Sequence, residues 1–188
     1  MPLIRPLNGT TPQIGQDVFL AENAVIIGEV TLADRSSVWY NVTIRGDVNR
    51  IEIGEESNIQ DGTVVHCTYQ KAATTIGKRV TVGHSAVIHG CTLEDDCLVG
   101  MGSIVMDGAV VQSDVIVAAG SLVREGQILE SGYLYAGVPA RQVKPLSQAQ
   151  IDGIRQYARY YVMYAGWYMN DAPPPTPPSQ TLDELAGS

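Results

Sequence analysis

Residues 93–123 read LEDDCLVGMGSIVMDGAVVQSDVIVAAGSLV, with an aliphatic residue at every sixth position: Leu93, Val99, Val105, Val111, Val117 and Val123. Neither an amphipathic helix, with period 3.6, nor a simple strand, with period 2, produces a repeat of six. The same spacing runs through the earlier chain. Its leaders there are Ile14, Leu20, Ile26, Leu32, Val38 and Ile44, then Ile53, Ile59 and Val65, then Ile76, Val82 and Ile88. Three register shifts connect 18 turns, each led by Ile, Leu or Val. Four places after many leaders stands a small or branched residue, as at Ala24, Ser36, Val42, Thr63, Ala86, Ser103, Ala109 and Ser121.

This is the pattern of a hexapeptide β-helix, in which three turns make one triangular coil and the leader and small residue fill a narrow core. The expected fold is mainly β: a parallel β-helix of about six triangular coils over residues 14–130, followed by one C-terminal α-helix. Residues 1–13 read as an N-terminal extension and 131–146 as a closing loop. Ser147 and Gln150 are a capping-box signal, and Leu146, Ile151, Ile154, Ala158, Tyr161, Val162, Ala165 and Tyr168 fall near helical spacing. A helix over 147–170 packed on the solenoid follows. The Pro-rich, polar residues 171–188 (DAPPPTPPSQTLDELAGS) read as a flexible tail.

Composition narrows the partners. The chain is 45% hydrophobic and 17% charged, with a net charge of −8. Nucleic acid and anionic membranes call for a basic surface, so neither is expected as a partner. No apolar run approaches the ~18 residues of a membrane span, and the N-terminus lacks the apolar core of a signal peptide. The three cysteines, Cys67, Cys91 and Cys97, have no disulfide-framework spacing. They read as reduced thiols of a cytoplasmic protein, with a Cys67–Cys91 pair left open.

All three histidines, His66, His84 and His89, lie within residues 59–89. The register shifts fall after Ile44, Val65 and Ile88, so every irregularity lies at one corner of the prism, and edges with insertions are commonly the functional ones. His66 follows leader Val65 and His89 follows leader Ile88, which places them in one slot of adjacent coils, ~4.8 Å apart. Arg45 holds the same slot one coil earlier. Two imidazoles at that separation can converge on one ion with ~2.0–2.1 Å bonds to zinc. A lone histidine on such a face is ordinary surface; a stacked pair is a candidate metal site. His84, two residues after leader Val82, is stacked over Asp61 and points from a different face. It therefore reaches the ion only if a neighbouring subunit presents it, as in a trimer about an axis parallel to the solenoid. Three imidazoles and one water are the donor set that lowers the water pKa to ~7.

The stretches SVWYNVTIRGDVNRIEIGEESNIQDGTVVH (37–66) and TVGHSAVIHGCTLEDDCLVGMGSIVMDGAVV (81–111) resemble the gamma-class carbonic anhydrase family, over roughly residues 10–170. The RGDVN, NIQDG–VVH and GH–x4–H elements together carry the likeness. The resemblance implies a left-handed β-helix and a homotrimer, with Zn2+, or Fe2+ or Co2+ in some members, at each subunit interface. It implies His66 and His89 from one chain and His84 from the next, with CO2 hydrated reversibly to bicarbonate by metal-bound hydroxide. It further implies an intersubunit Arg45–Asp47 ion pair, Asp61 in the same network, and Gln60 orienting the metal-bound water. A helix tyrosine would stand near the metal, with Tyr157, Tyr160, Tyr161, Tyr164 and Tyr168 as candidates. The sequence departs from the family's acidic proton relay. Val48 follows Asp47, the insertion HCTYQKAATT has no carboxylate, and Glu52 is the nearest candidate. Two other functions fit the repeat: a non-catalytic metal-binding trimeric scaffold, and a hexapeptide acyltransferase using acetyl-CoA.

Overall fold

A six-residue repeat closes a triangle only if the chain turns sharply once per strand. The turning residue is the third after most leaders, where the backbone takes a positive φ: 59° at Asn41, 71° at Gly62, 57° at Asp96, 67° at Gly102 and 69° at Gly120. Glycine enters this region without strain, and Asn and Asp enter it more readily than other side chains. The turns led by Leu20 and Ile26 lack it, as do the interrupted turns led by Ile44, Val65 and Ile88, whose corners are rebuilt by the irregular segments.

A computed structural model describes residues 1–170. Stacked turns pair in parallel and align the leaders in three columns. One column is Leu20, Val38, Ile59, Val82, Val99, Val117 and Tyr135. A second, the histidine face, is Ile4, Ile26, Ile44, Val65, Ile88, Val105 and Val123. The third is Ile14, Leu32, Ile53, Ile76, Leu93, Val111 and Leu129. Each column has seven rungs, so the solenoid has about seven coils where the spacing of six shows about six. From Ile26 to Leu129 every leader is buried. The inward side chains thus form one continuous core whose burial contributes ~1.5–3 kcal/mol per aliphatic side chain.

Three rungs lie outside the 18 turns of the repeat: Ile4, Leu129 and Tyr135. At the N-terminus, Leu3–Arg5 is a strand paired with Val25–Ile27, so residues 1–13 hold the first rung as well as an extension. The connection after it contains a small turn closed by a Leu7–Thr10 bridge, which breaks the spacing. At the other end, residues 131–146 are largely strand. Tyr133–Ala136 and Arg141–Pro145 form an antiparallel hairpin that closes the last coil. Tyr135 continues the column but is aromatic, and its hydroxyl accepts the Glu130 N–H at 2.8 Å.

The helix runs Gln148–Asn170. The capping box forms in both directions: the Ser147 N–H donates to Gln150 Oε1 at 3.0 Å, and the Gln150 N–H donates to Ser147 Oγ at 3.3 Å. Gly153, Ile154, Ala158 and Ala165 face inward. The helix covers the first column's face and runs back along the stack. Arg155 pairs with Asp114 at 2.7 Å near the top, and Tyr168 meets Phe19 at 5.3 Å near the bottom. The tail, 171–188, lies outside the described residues. All three cysteines are free and buried; burial pushes the Cys91 and Cys97 thiols up to about 12. Among the described residues no helix is long and apolar enough to cross a membrane.

Candidate metal centre

Side chains alternate across a strand, so the residue after each inward leader points outward. His66 and His89 are such residues, and they are direct partners in adjacent parallel strands. Their rings lie 5.1 Å apart between centroids, and His66 Nδ1 stands 3.1 Å from His89 Nε2. Each ring is backed by a carboxylate on its other nitrogen. Asp47 Oδ1 is 3.0 Å from His66 Nε2, and Asp107 Oδ1 is 2.6 Å from His89 Nδ1.

Ionised carboxylates only accept hydrogen bonds, so each facing nitrogen carries its ring's proton. The two inner nitrogens face each other across 3.1 Å, where one shared cation would satisfy both. Two ligands on a tetrahedral zinc are separated by ~3.3 Å when the bonds are ~2.0–2.1 Å. A carboxylate behind each metal-ligating imidazole is also the usual support for such a ligand. The donors present therefore fit a divalent transition metal. Burial raises the Asp47 carboxyl, but hydrogen bonds from His66 and Arg45 and the Arg45 charge outweigh it and hold the pKa low. Asp107 behaves alike: burial raises it, and hydrogen bonds from Thr68 and His89 bring it below the ordinary value.

His84 is elsewhere. Its Nδ1 is 2.9 Å from Asp61 Oδ2, and both side chains are partly exposed. They line a cleft of about 330 Å³ between helix and solenoid, with Trp39, Tyr40, Tyr161, Tyr164, Trp167 and Tyr168. Among the described residues no three His, Cys, Asp or Glu side chains converge within one chain, in keeping with a His84 that points from its own face. The cleft also sorts the tyrosines: Tyr161, Tyr164 and Tyr168 share it with His84, and Tyr157 lines a separate hollow beside Leu98 and Ile116. Burial pushes the Tyr161 phenol up to about 12.

Arg45 pairs with Asp47 of its own chain. The physical reason is local, since residues i and i+2 share a strand face and only Gly46 stands between them. Gln60 is buried, and its Nε2 donates to Asn58 Oδ1 at 3.1 Å; it lies on the helix side, away from the His66–His89 pair. Glu52 is directed to Arg50 at 3.4 Å and Val48 packs on the core. The residue missed by sequence reasoning is Asp107. Coil counting could have found it, because it lies two after leader Val105, on the rung above His89.

The pattern of similarity agrees with the geometry. A family model for the hexapeptide repeat of succinyl-transferase matches residues 73–107 and 93–124. A probable carbonic anhydrase of Methanocaldococcus jannaschii is 57% identical over 149 residues, covering 79% of this chain and 93% of that protein. The mitochondrial gamma carbonic anhydrase 2 of Arabidopsis thaliana is 46% identical over 160 residues, 82% of this chain and 58% of that protein. Among solved structures, a hexapeptide transferase family protein from Anaplasma phagocytophilum superposes with a TM-score of 0.85 at 43% identity, over 88% of this chain and 98% of that one. On this likeness along most of its length, the chain belongs to the gamma-carbonic-anhydrase-like family of hexapeptide-repeat proteins.

Proposed function

We propose that the protein is a zinc-dependent carbonic anhydrase, hydrating CO2 reversibly to bicarbonate at sites between the subunits of a homotrimer. Fe2+ or Co2+ would suit the same donors. The observation that carries this is the pair of mutually facing imidazole nitrogens of His66 and His89, 3.1 Å apart, each ring oriented by its own carboxylate. His84 of a neighbouring copy completes the set. Zinc held by three imidazoles lowers the pKa of a coordinated water to ~7 and so supplies a nucleophile at neutral pH.

The chain's own residues do the rest. Asp47 and Asp107 hold the proton of each ring on its outer nitrogen and keep the inner one free to ligate. Arg45 neutralises Asp47. On the copy that supplies His84, Gln60, its amide nitrogen tied to Asn58, would have its oxygen left to accept a hydrogen bond from the reacting water, and Asp61 would orient His84. The trimer is supported by the surface beside the two histidines, where Val64, Ile104 and Met106 stand 40%, 41% and 40% exposed. Apolar groups bared around a half-built site suit burial against a second copy. A cytoplasmic location suits the three buried free thiols.

One observation favours a second reading, a non-catalytic metal-binding scaffold. The insertion after His66 has no carboxylate, and Glu52 is directed to Arg50, which leaves proton export to other groups or to buffer. Metal analysis combined with stopped-flow CO2 hydration, with and without added imidazole, separates the two. Bound metal with buffer-stimulated turnover supports the enzyme. Full metal with no rate in strong buffer supports the scaffold, and a melting shift with acetyl-CoA would point instead to acyl transfer.

A further inference from the structure

The insertion at 66–75 departs from the repeat, yet it is tightly tied to the two histidines. Thr68 Oγ1 donates to Asp107 Oδ2 at 2.5 Å, and the other oxygen, Oδ1, is the one held by His89 Nδ1 at 2.6 Å. Thr68 is itself fixed: its N–H donates to the Ala72 carbonyl at 3.0 Å, and its carbonyl accepts from Asn49 Nδ2 at 3.3 Å. Further along, Thr74 Oγ1 donates to the His66 carbonyl at 2.5 Å and accepts the Gly90 N–H at 2.9 Å. Lys71 anchors the tip to Glu125 at 2.7 Å.

We infer that Thr68 and Asp107 are positioning residues for His89, and that the 66–75 insertion is a clamp that sets the ligand geometry of the metal site. The inference rests on the metal reading above. A carboxylate with one donor can rotate about its last torsion. With a separate donor on each oxygen its plane is fixed, and with it the tilt of the imidazole it accepts from. Asp107 is such a carboxylate. Its second donor comes from a residue 39 positions away, delivered only because the loop folds back over the histidine face. The Thr74 hydroxyl bridges the backbone at His66 to that just after His89, so the spacing of the two ligands is held by the same loop. Ligand-orienting groups of this kind govern metal affinity by ~10–100-fold.

The test uses the full chain, stripped of metal and titrated with Zn2+ against a chromophoric chelator, with Co2+ absorption as a second readout. Thr68→Val removes the hydroxyl at constant shape, Thr68→Ser restores it, and Asp107→Asn converts one of the two accepting oxygens into a donor. Expected are a ~10–100-fold loss of Zn2+ affinity for Thr68→Val and Asp107→Asn, an altered Co2+ spectrum, and near-wild-type behaviour for Thr68→Ser. Wild-type affinity in both Thr68→Val and Asp107→Asn overturns the inference while leaving the metal site standing. So does a loss in Thr68→Val that tracks a fall in the metal-free melting temperature and is not restored by serine. A wild-type protein that binds no Zn2+ overturns the metal reading and this inference together.

Discussion

A site divided between chains can be rebuilt from two broken ones. A chain carrying His84→Ala keeps the His66–His89 pair, whose nitrogens face each other at 3.1 Å. A chain carrying His66→Ala and His89→Ala keeps His84, held by Asp61 at 2.9 Å on the other face. In the proposed trimer, each variant alone would leave every site short of at least one ligand. When equal amounts are unfolded and refolded together, each interface draws its two sides at random. The intact pair meets the intact His84 at ~25% of interfaces in a closed three-fold ring. Zinc retained after dialysis against a weak chelator is therefore expected to rise from near zero to ~25% of the wild-type content, with CO2 hydration rising in proportion. Native mass measurement confirms that mixed trimers have formed. Mixed trimers with no more zinc than the separate variants would falsify the divided site, and so would wild-type zinc content in His84→Ala alone.

Two further outcomes follow from the same geometry. Asp47 and Asp107 are held below the ordinary carboxylate value of 3.8, hydrogen bonds and nearby positive charge outweighing burial. A lowered folded pKa means that their stabilisation is fully present above 3.8 and is lost as pH falls through the folded values. Acid unfolding of the metal-free protein should therefore be shallower for Asp47→Asn and Asp107→Asn below about pH 4; an unchanged acid limb contradicts the assignment. Trp39 is buried, 4.9 Å from Phe19, 5.5 Å from Tyr161 and 5.4 Å from Tyr168 between centroids. Trp39→Ala should cost ~3–5 kcal/mol in urea denaturation at fixed chain concentration, and a loss below ~1 kcal/mol would show that these rings do not fasten the helix.

Much of this was legible in the sequence because a solenoid makes spatial neighbours out of fixed sequence offsets. The period of six gave the columns, and slot counting paired His66 with His89 and separated His84. It failed where the period stopped being aliphatic or regular. Ile4 is separated from Ile14 by a turn bridged at Leu7 and Thr10, and Tyr135 keeps the spacing with an aromatic ring. The choice among five tyrosines depends on how the helix is rotated about its axis. That rotation is fixed by Ile154, Ala158 and Ala165 meeting the solenoid, and an amphipathic stripe alone is too broad to set it. The Thr68–Asp107 contact had no local signal, since it depends on the path of an irregular loop.

Likeness to a hexapeptide transferase family protein and to carbonic anhydrases at once is what alternation along a strand should produce. Val65 and Ile88 point inward, are fully buried, and set the coil whatever the protein does. Their next neighbours, His66 and His89, point outward and carry the candidate chemistry. Fold and function are thus written on adjacent residues of the same strands, and they should separate on mutation. Ile88→Ala opens a cavity in the solenoid core, where Ile88 is fully buried, and should cost ~2–5 kcal/mol, whether or not metal is present. His89→Ala removes a partly exposed ring and should leave metal-free stability within ~1 kcal/mol of wild type, while abolishing the stabilisation that added Zn2+ gives the parent. Paired denaturation curves, with and without Zn2+, measure both. If His89→Ala destabilised the metal-free protein as much as Ile88→Ala does, the histidine would be part of the structural frame, and the division between inward fold and outward chemistry would fail.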